Sequence, residues 1–102
     1  MSCSHWNPTV DGPLTEAALR AKLERLGYSV TRYIYPPGMY FSDHSHSMDK
    51  MDAVVSGRFR MVMDGRETVL KAGDMLAVPA GVIHSAEVMG NEPVVSLDGV
   101  KM

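Results

Sequence analysis

The alternation of apolar and polar residues changes once along this chain, from a helical period to a strand period. Leu14 to Leu26 carries Leu19, Leu23 and Leu26 at i, i+4 and i+7, which is one apolar stripe of a helix. Thr15 stands where an N-cap belongs and Gly27 where a C′ glycine belongs. Glu16, Arg20 and Glu24 fall four apart, so opposite charges neighbour each other on a solvent face. From Tyr28 onward the spacing becomes that of short strands. Tyr28 to Tyr35 is rich in β-branched and aromatic residues and stops at Pro36-Pro37-Gly38. Met39 to His46 follows, then a polar link, then Ala53 to Val55 running to Gly57. Arg58 to Met63 and Arg66 to Lys71 flank Asp64-Gly65, a two-residue hairpin signal. The remaining strands are Met75 to Val78, Ile83 to Met89 and Val94 to Leu97, each entered through glycine or proline. Within Arg58 to Met63, Phe59, Met61 and Met63 alternate onto one face.

Many short strands with punctuated corners predict an all-β sandwich or barrel, with one short N-terminal helix as an appendage. A closed or double-sheet barrel also disposes of unpaired strand edges and can hold a small ligand. Residues 1–13, broken by Pro8, Gly12 and Pro13, read as an irregular N-terminal arm in which Cys3 and His5 belong to a frayed end. Trp6 is expected to lie against the body or a neighbouring subunit. Residues 14–102 form one domain, with the helix over 14–26 and the barrel over 28–100.

Composition narrows the function classes. A chain of 102 residues with 45% hydrophobic and 22% charged residues is an ordinary single globular domain. Ten basic residues stand against twelve acidic ones, which is not the footprint of a nucleic-acid binder or of a polybasic membrane patch. No apolar run approaches the ~18 residues of a spanning helix. The first residues lack the charged and apolar regions of a signal peptide, and the single Cys3 has no internal disulfide partner. The expected location is therefore the cytoplasm.

The candidate chemistry lies in the histidines. His44 and His46, two apart in an extended strand, present imidazoles to the same face. Neutral imidazole is the commonest metal ligand, although two exposed strand histidines give the same pattern. A second stretch runs Gly73-Asp-Met-Leu-Ala-Val-Pro79-Ala-Gly81-Val-Ile-His84. His84 there shares its face with Val82, Ala86 and Val88, which fits either a ligand or a core histidine bonded to backbone.

Gly38-x5-His44-x-His46-x3-Lys50-x6-Gly57, followed by Gly73-x5-Pro79-x-Gly81-x2-His84, resembles the paired motifs of the cupin superfamily, in particular its small single-domain members. The resemblance covers residues 38–88. It implies a double-stranded β-helix or jelly-roll barrel in which His44, His46 and His84 converge on one divalent transition metal, whether iron, manganese, nickel or zinc. It also implies a homodimer. Lys50 stands where cupins typically place a glutamate ligand, and a protonated lysine is a poor ligand. Asp49 or Asp52 would replace the missing carboxylate through a bulge, or Lys50 would face outward and pair with one of them. The reading preferred here is a three-histidine site with Lys50 near the pocket, suited to a small anionic ligand. Lys50, Asp49, Tyr40 and Met61 are the candidates to line that pocket, with Tyr33 and Tyr35 as further possibilities. The nine methionines read mainly as core filler, copper ligation being the sharper alternative.

Three functional readings follow. One is a metal-dependent enzyme, with oxygenase chemistry or an isomerase or lyase reaction at the open metal positions. No general base is evident, which weighs against isomerisation. The second is a non-catalytic small-molecule-binding or sensor module. The third is a barrel without metal, kept as a dimer scaffold. One superfold hosts all three.

Overall fold

The computed structural model describes residues 3–102. The chain forms β1 (Cys3–Ser4), α1 (Pro8–Asp11), α2 (Glu16–Arg25), β2 (Tyr28–Tyr35), β3 (Tyr40–His44) and β4 (Lys50–Ser56). These are followed by β5 (Arg58–Met63), β6 (Arg66–Leu70), β7 (Met75–Val78), β8 (His84–Met89) and β9 (Val94–Lys101). A five-stranded sheet in the order β1-β7-β4-β9-β2 faces a four-stranded sheet in the order β3-β8-β5-β6, and every paired strand is antiparallel. This is the expected all-β double-stranded β-helix.

Two apolar clusters hold it. Val54, Phe59, Met61, Met63, Leu70, Leu76, Val78, Ala86, Val88 and Val94 fill the space between the sheets. Leu19 and Leu23 of α2 pack with Ala53, Met75 and Leu97 on the other face of the five-stranded sheet. The period-2 rule sorts β4 between the clusters: Ala53 meets the helix, whereas Val54 belongs to the inter-sheet core. Thr15 caps α2 as expected, its hydroxyl accepting the Ala18 amide at 3.0 Å. The helix is shorter than 14–26, and Leu26 is a half-exposed C-cap residue rather than part of the buried stripe. Glu16 pairs with Arg32 at 2.7 Å and Arg20 donates to the Val30 carbonyl at 3.1 Å, so both side chains tie the helix to β2 instead of to each other.

The N-terminal arm departs most from its expected form. Cys3 and Ser4 add a strand to β7 in register with Leu76 and Met75, and Pro8–Asp11 is a second short helix capped by Asn7. Trp6 donates to the Gly12 carbonyl at 2.8 Å, and the Lys22 ammonium lies 5.2 Å from its ring centre. The His5 imidazole meets the buried Asp74 carboxylate at 2.6 Å. Short polar sequence carried no periodicity to reveal this; the arm is held by Asp74 and β7, about seventy positions away, together with Lys22 of α2.

Asp64 and Gly65 both have positive φ, as the two-residue hairpin requires. Two motif glycines also occupy the left-handed region, but for different reasons. A Cβ on Gly57 (φ +83°) would lie 2.4 Å from the Pro93 carbonyl oxygen and 3.0 Å from the Val94 Cα, both backbone atoms. A Cβ on Gly38 (φ +79°) would meet nothing within 4 Å. Gly38→Ala is expected to cost only the left-handed penalty of about 1–2 kcal/mol. Gly57→Ala adds a backbone displacement and is expected to cost about 2–3 kcal/mol, lowering Tm by roughly 8–20 °C in thermal melts. Equal melting temperatures for the two variants would contradict the close approach at Pro93.

Candidate functional site

The three histidines meet although they come from different places. His44 ends β3 and His84 begins β8, where the register sets them directly opposite one another. His46 lies beyond the end of β3, and its carbonyl accepts the Gly81 amide at 2.8 Å, which fixes the loop against the turn before β8. Ring centres are 4.2 Å apart for His44 and His84, 4.9 Å for His44 and His46, and 5.1 Å for His46 and His84. One ligating atom from each falls within 4.8 Å of the others.

Backbone carbonyls set the tautomers of two rings. His44 Nδ1 lies 2.7 Å from the Ser42 carbonyl oxygen, and His84 Nδ1 lies 3.0 Å from that of Val82. A carbonyl only accepts, so each Nδ1 carries the proton and each Nε2 keeps a free lone pair. Burial, the Lys50 charge and the other histidines push the His46 pKa down. Burial also lowers that of His84, against the opposing effect of its bond to Val82. Neutral imidazoles whose second nitrogen is anchored are the donor set of a zinc, iron, manganese or nickel site. The residues present therefore fit the metal that the sequence motif implies.

The histidines line a cavity of about 320 Å³ between the two sheets. Tyr35, Phe41 and Phe59 form an aromatic wall, with ring centres 4.9 Å apart for Tyr35 and Phe41 and 5.6 Å for Tyr35 and Phe59. Met61 lines it too, as expected of its face in β5. Tyr33 and Tyr35 also reach it. Tyr40 does not, and is 59% exposed. The reason is a register shift between Phe41 and His44. Regular alternation would place Tyr40 with His44; the irregularity brings Phe41 in instead. Asp49 does not line this cavity either. Its carboxylate accepts the Ala80 amide at 2.8 Å and so braces the Pro79–Gly81 turn.

Lys50 points inward. Its ammonium donates to Asp98 Oδ2 at 2.8 Å, and the two side chains are 15% and 16% exposed. It pairs with neither Asp49 nor Asp52, the partners considered from sequence. Asp52 sits two residues further along β4, directly opposite Asp98 in the β4–β9 register, and both line the cavity. Burial, the Asp98 charge and contact with the Asp98 carboxyl push the Asp52 pKa up to about 7, against the pull of Lys50. Burial and the same two carboxylates raise the Tyr35 phenol well above its usual range.

Asp98 and the inward role of Asp52 were not legible in the sequence. Polar Lys50 and Asp52 made the start of β4 read as a link, and Asp98-Gly99 made β9 end at Leu97. Both strands are longer than expected because polar residues inside a cavity mimic a loop in the sequence pattern. The one available signal was spacing: Lys50 and Asp52 fall in even step with buried Val54.

The chain is thus a two-sheet antiparallel barrel with a histidine cluster in the cavity between its sheets. The family model described as a cupin domain matches residues 31–100, and the chain belongs to the cupin family. No curated protein matches it. Among solved structures, it is similar to an uncharacterised double-stranded β-helix protein from Klebsiella pneumoniae, at 28% identity and a TM-score of 0.63, with 74% of this chain and 67% of that one covered. It is similar to an RmlC-like cupin from Shewanella frigidimarina at 27% identity and a TM-score of 0.64, with 72% and 65% covered. The DMSP lyase DddQ from Ruegeria pomeroyi shares 21% identity and a TM-score of 0.66, with 74% of this chain but only 39% of the lyase covered. Among the described residues, no helix is long and apolar enough to cross a membrane.

Proposed function

We propose that this cupin is a metal-dependent protein acting on a small anionic molecule, with His44, His46 and His84 holding one divalent transition metal. The observation that carries the reading is the paired anchoring of His44 and His84 through Nδ1, which leaves Nε2 of both rings free beside His46. Such an ion, when bound, supplies Lewis-acid or oxygen-activating chemistry at positions the protein leaves open. The chain's own residues supply the rest. Tyr35, Phe41, Phe59 and Met61 offer an apolar surface to the ligand body, and Lys50, Asp52 and Asp98 line the polar end of the cavity. With three neutral imidazoles and no glutamate among the ligands, the centre keeps the full charge of the ion, and this favours an anion.

The lyase among the fold neighbours shows that a barrel of this shape hosts small-molecule chemistry in another protein, a likeness of fold alone. The test is elemental analysis of protein purified without chelator, followed by oxygen uptake and product analysis with small thiols, phenols and keto acids. About one transition-metal ion per chain with turnover of one class is the expected result for an enzyme. Metal without turnover would favour the binding-module reading, and absence of metal would remove both.

A further inference from the structure

The polar end of the cavity is a built cluster of three ionisable groups from two neighbouring strands. Lys50 and Asp52 project from β4 and Asp98 from β9; the Lys50 ammonium occupies Asp98 Oδ2. The other oxygen, Oδ1, is buried and receives no hydrogen bond from any described residue. An orphaned buried carboxylate oxygen is costly, because it has lost water and gained nothing. The group beside it is the Asp52 carboxyl, and two ionised carboxylates cannot bond to each other. One proton resolves both difficulties, since a protonated Asp52 becomes a donor to Oδ1.

We propose that Asp52 and Asp98, held by Lys50, form a carboxylic acid–carboxylate pair that carries a single proton, and that the charge of this pair controls whether a small carboxylate ligand is held in the cavity beside it. The inference rests on the metal reading and deepens it by naming a charge control for the same ligand. Lys50 does not serve as a free cation for it, being already spent on Asp98. The protonated pair with Lys50 has no net charge, whereas the deprotonated pair with Lys50 carries one negative charge. An anion therefore binds the protonated state better, and its affinity falls as pH rises through the titration of the pair. The groups facing Asp52 are Lys50 on its own strand, Asp98 on β9, the phenols of Tyr33 and Tyr35 on β2, and the three histidines across the cavity.

Two measurements test this separately from the metal site. The first uses metal-free protein labelled with ¹³C at the aspartate carboxyls and titrated from pH 4 to 9. One aspartate is expected to remain protonated at pH 5.5 and to titrate near neutrality, and its signal is expected to vanish in Asp52→Asn. Ionisation of every aspartate by pH 5.5 would overturn the pair, whatever the metal site does. The second uses zinc-loaded protein and benzoate, followed by calorimetry at pH 6 and pH 8. Benzoate affinity is expected to fall about tenfold in the wild type and to change by less than about twofold in Asp52→Asn. Hydroxide competition at zinc would act equally on both proteins. An equal pH dependence in the two, or no benzoate binding at pH 6, would overturn the ligand assignment. Failure to load zinc would count against the histidine reading and leave the carboxyl titration to judge the pair.

Discussion

His44→Ala is expected to weaken zinc or manganese binding by at least about 100-fold, since loss of a residue that merely supports a ligand already costs 10–100-fold. His44 is the informative choice. It is only partly buried, so its truncation opens little of the core, whereas His84 is 3% exposed. Metal that binds the native state and not the unfolded chain stabilises it by about 2.7 kcal/mol at 100 times Kd. The wild type is therefore expected to melt roughly 10–20 °C higher with zinc than without, for a domain of this length. His44→Ala is expected to rise by no more than about 3 °C at the same zinc concentration and to fold otherwise as the metal-free wild type. An equal zinc-dependent rise in both proteins would place the metal elsewhere.

Lys50→Met is the second large effect, and it acts on the fold rather than on the ligand. Lys50 and Asp98 form an ion pair mostly withdrawn from water, and removing one partner of such a pair costs about 3–5 kcal/mol. Asp98 would then be buried beside Asp52 with no cation. Protonating the carboxyls is the remaining relief, so the cost is expected to be larger at pH 8 than at pH 5. The sign for Asp52 itself runs the same way. Its folded pKa is raised above the unfolded value, so its contribution to stability is fully present at pH below about 4 and is lost as pH rises toward about 7. Denaturant melts across that range would show wild-type stability lowered by this group with increasing pH, and Asp52→Asn would remove that component. A Lys50→Met protein as stable as the wild type at pH 8 would mean that the pair is not a structural ion pair. Lys50→Glu gives the complementary readout: tighter metal binding would show that position 50 reaches the vacant ligand site.

Much of the barrel was legible because burial imposes a period. Arg58–Met63 has the boundaries its alternation predicted and Met75–Val78 those its flanking turn residues predicted, and the Asp64-Gly65 turn has the backbone its residues require. Period-2 reasoning failed where burial and polarity part company. Lys50, Asp52 and Asp98 face inward yet are polar, so the strands carrying them looked shorter than they are. It failed again at β3, where the register shift moved Tyr40 out and Phe41 in, an event with no mark in the sequence. The arm followed a third logic. Cys3–Ser4 and Pro8–Asp11 are held through contacts with β7, Asp74 and Lys22, all outside the arm.

Sequence alone pointed to the family, the all-β class and the three histidines that meet in the cavity, because glycine and proline at fixed spacings are requirements of local backbone geometry and His44, His46 and His84 stand where the resembling motifs place histidines. Only the tertiary structure decided what Lys50 does and which carboxylates share its cavity. Those partners lie on strands far apart in the chain, and the pairing of Asp52 with Asp98 exists only once β4 and β9 are zipped in one register. Local pattern fixes where side chains point along one strand; the charge that meets each of them across the barrel is set by how the strands are joined.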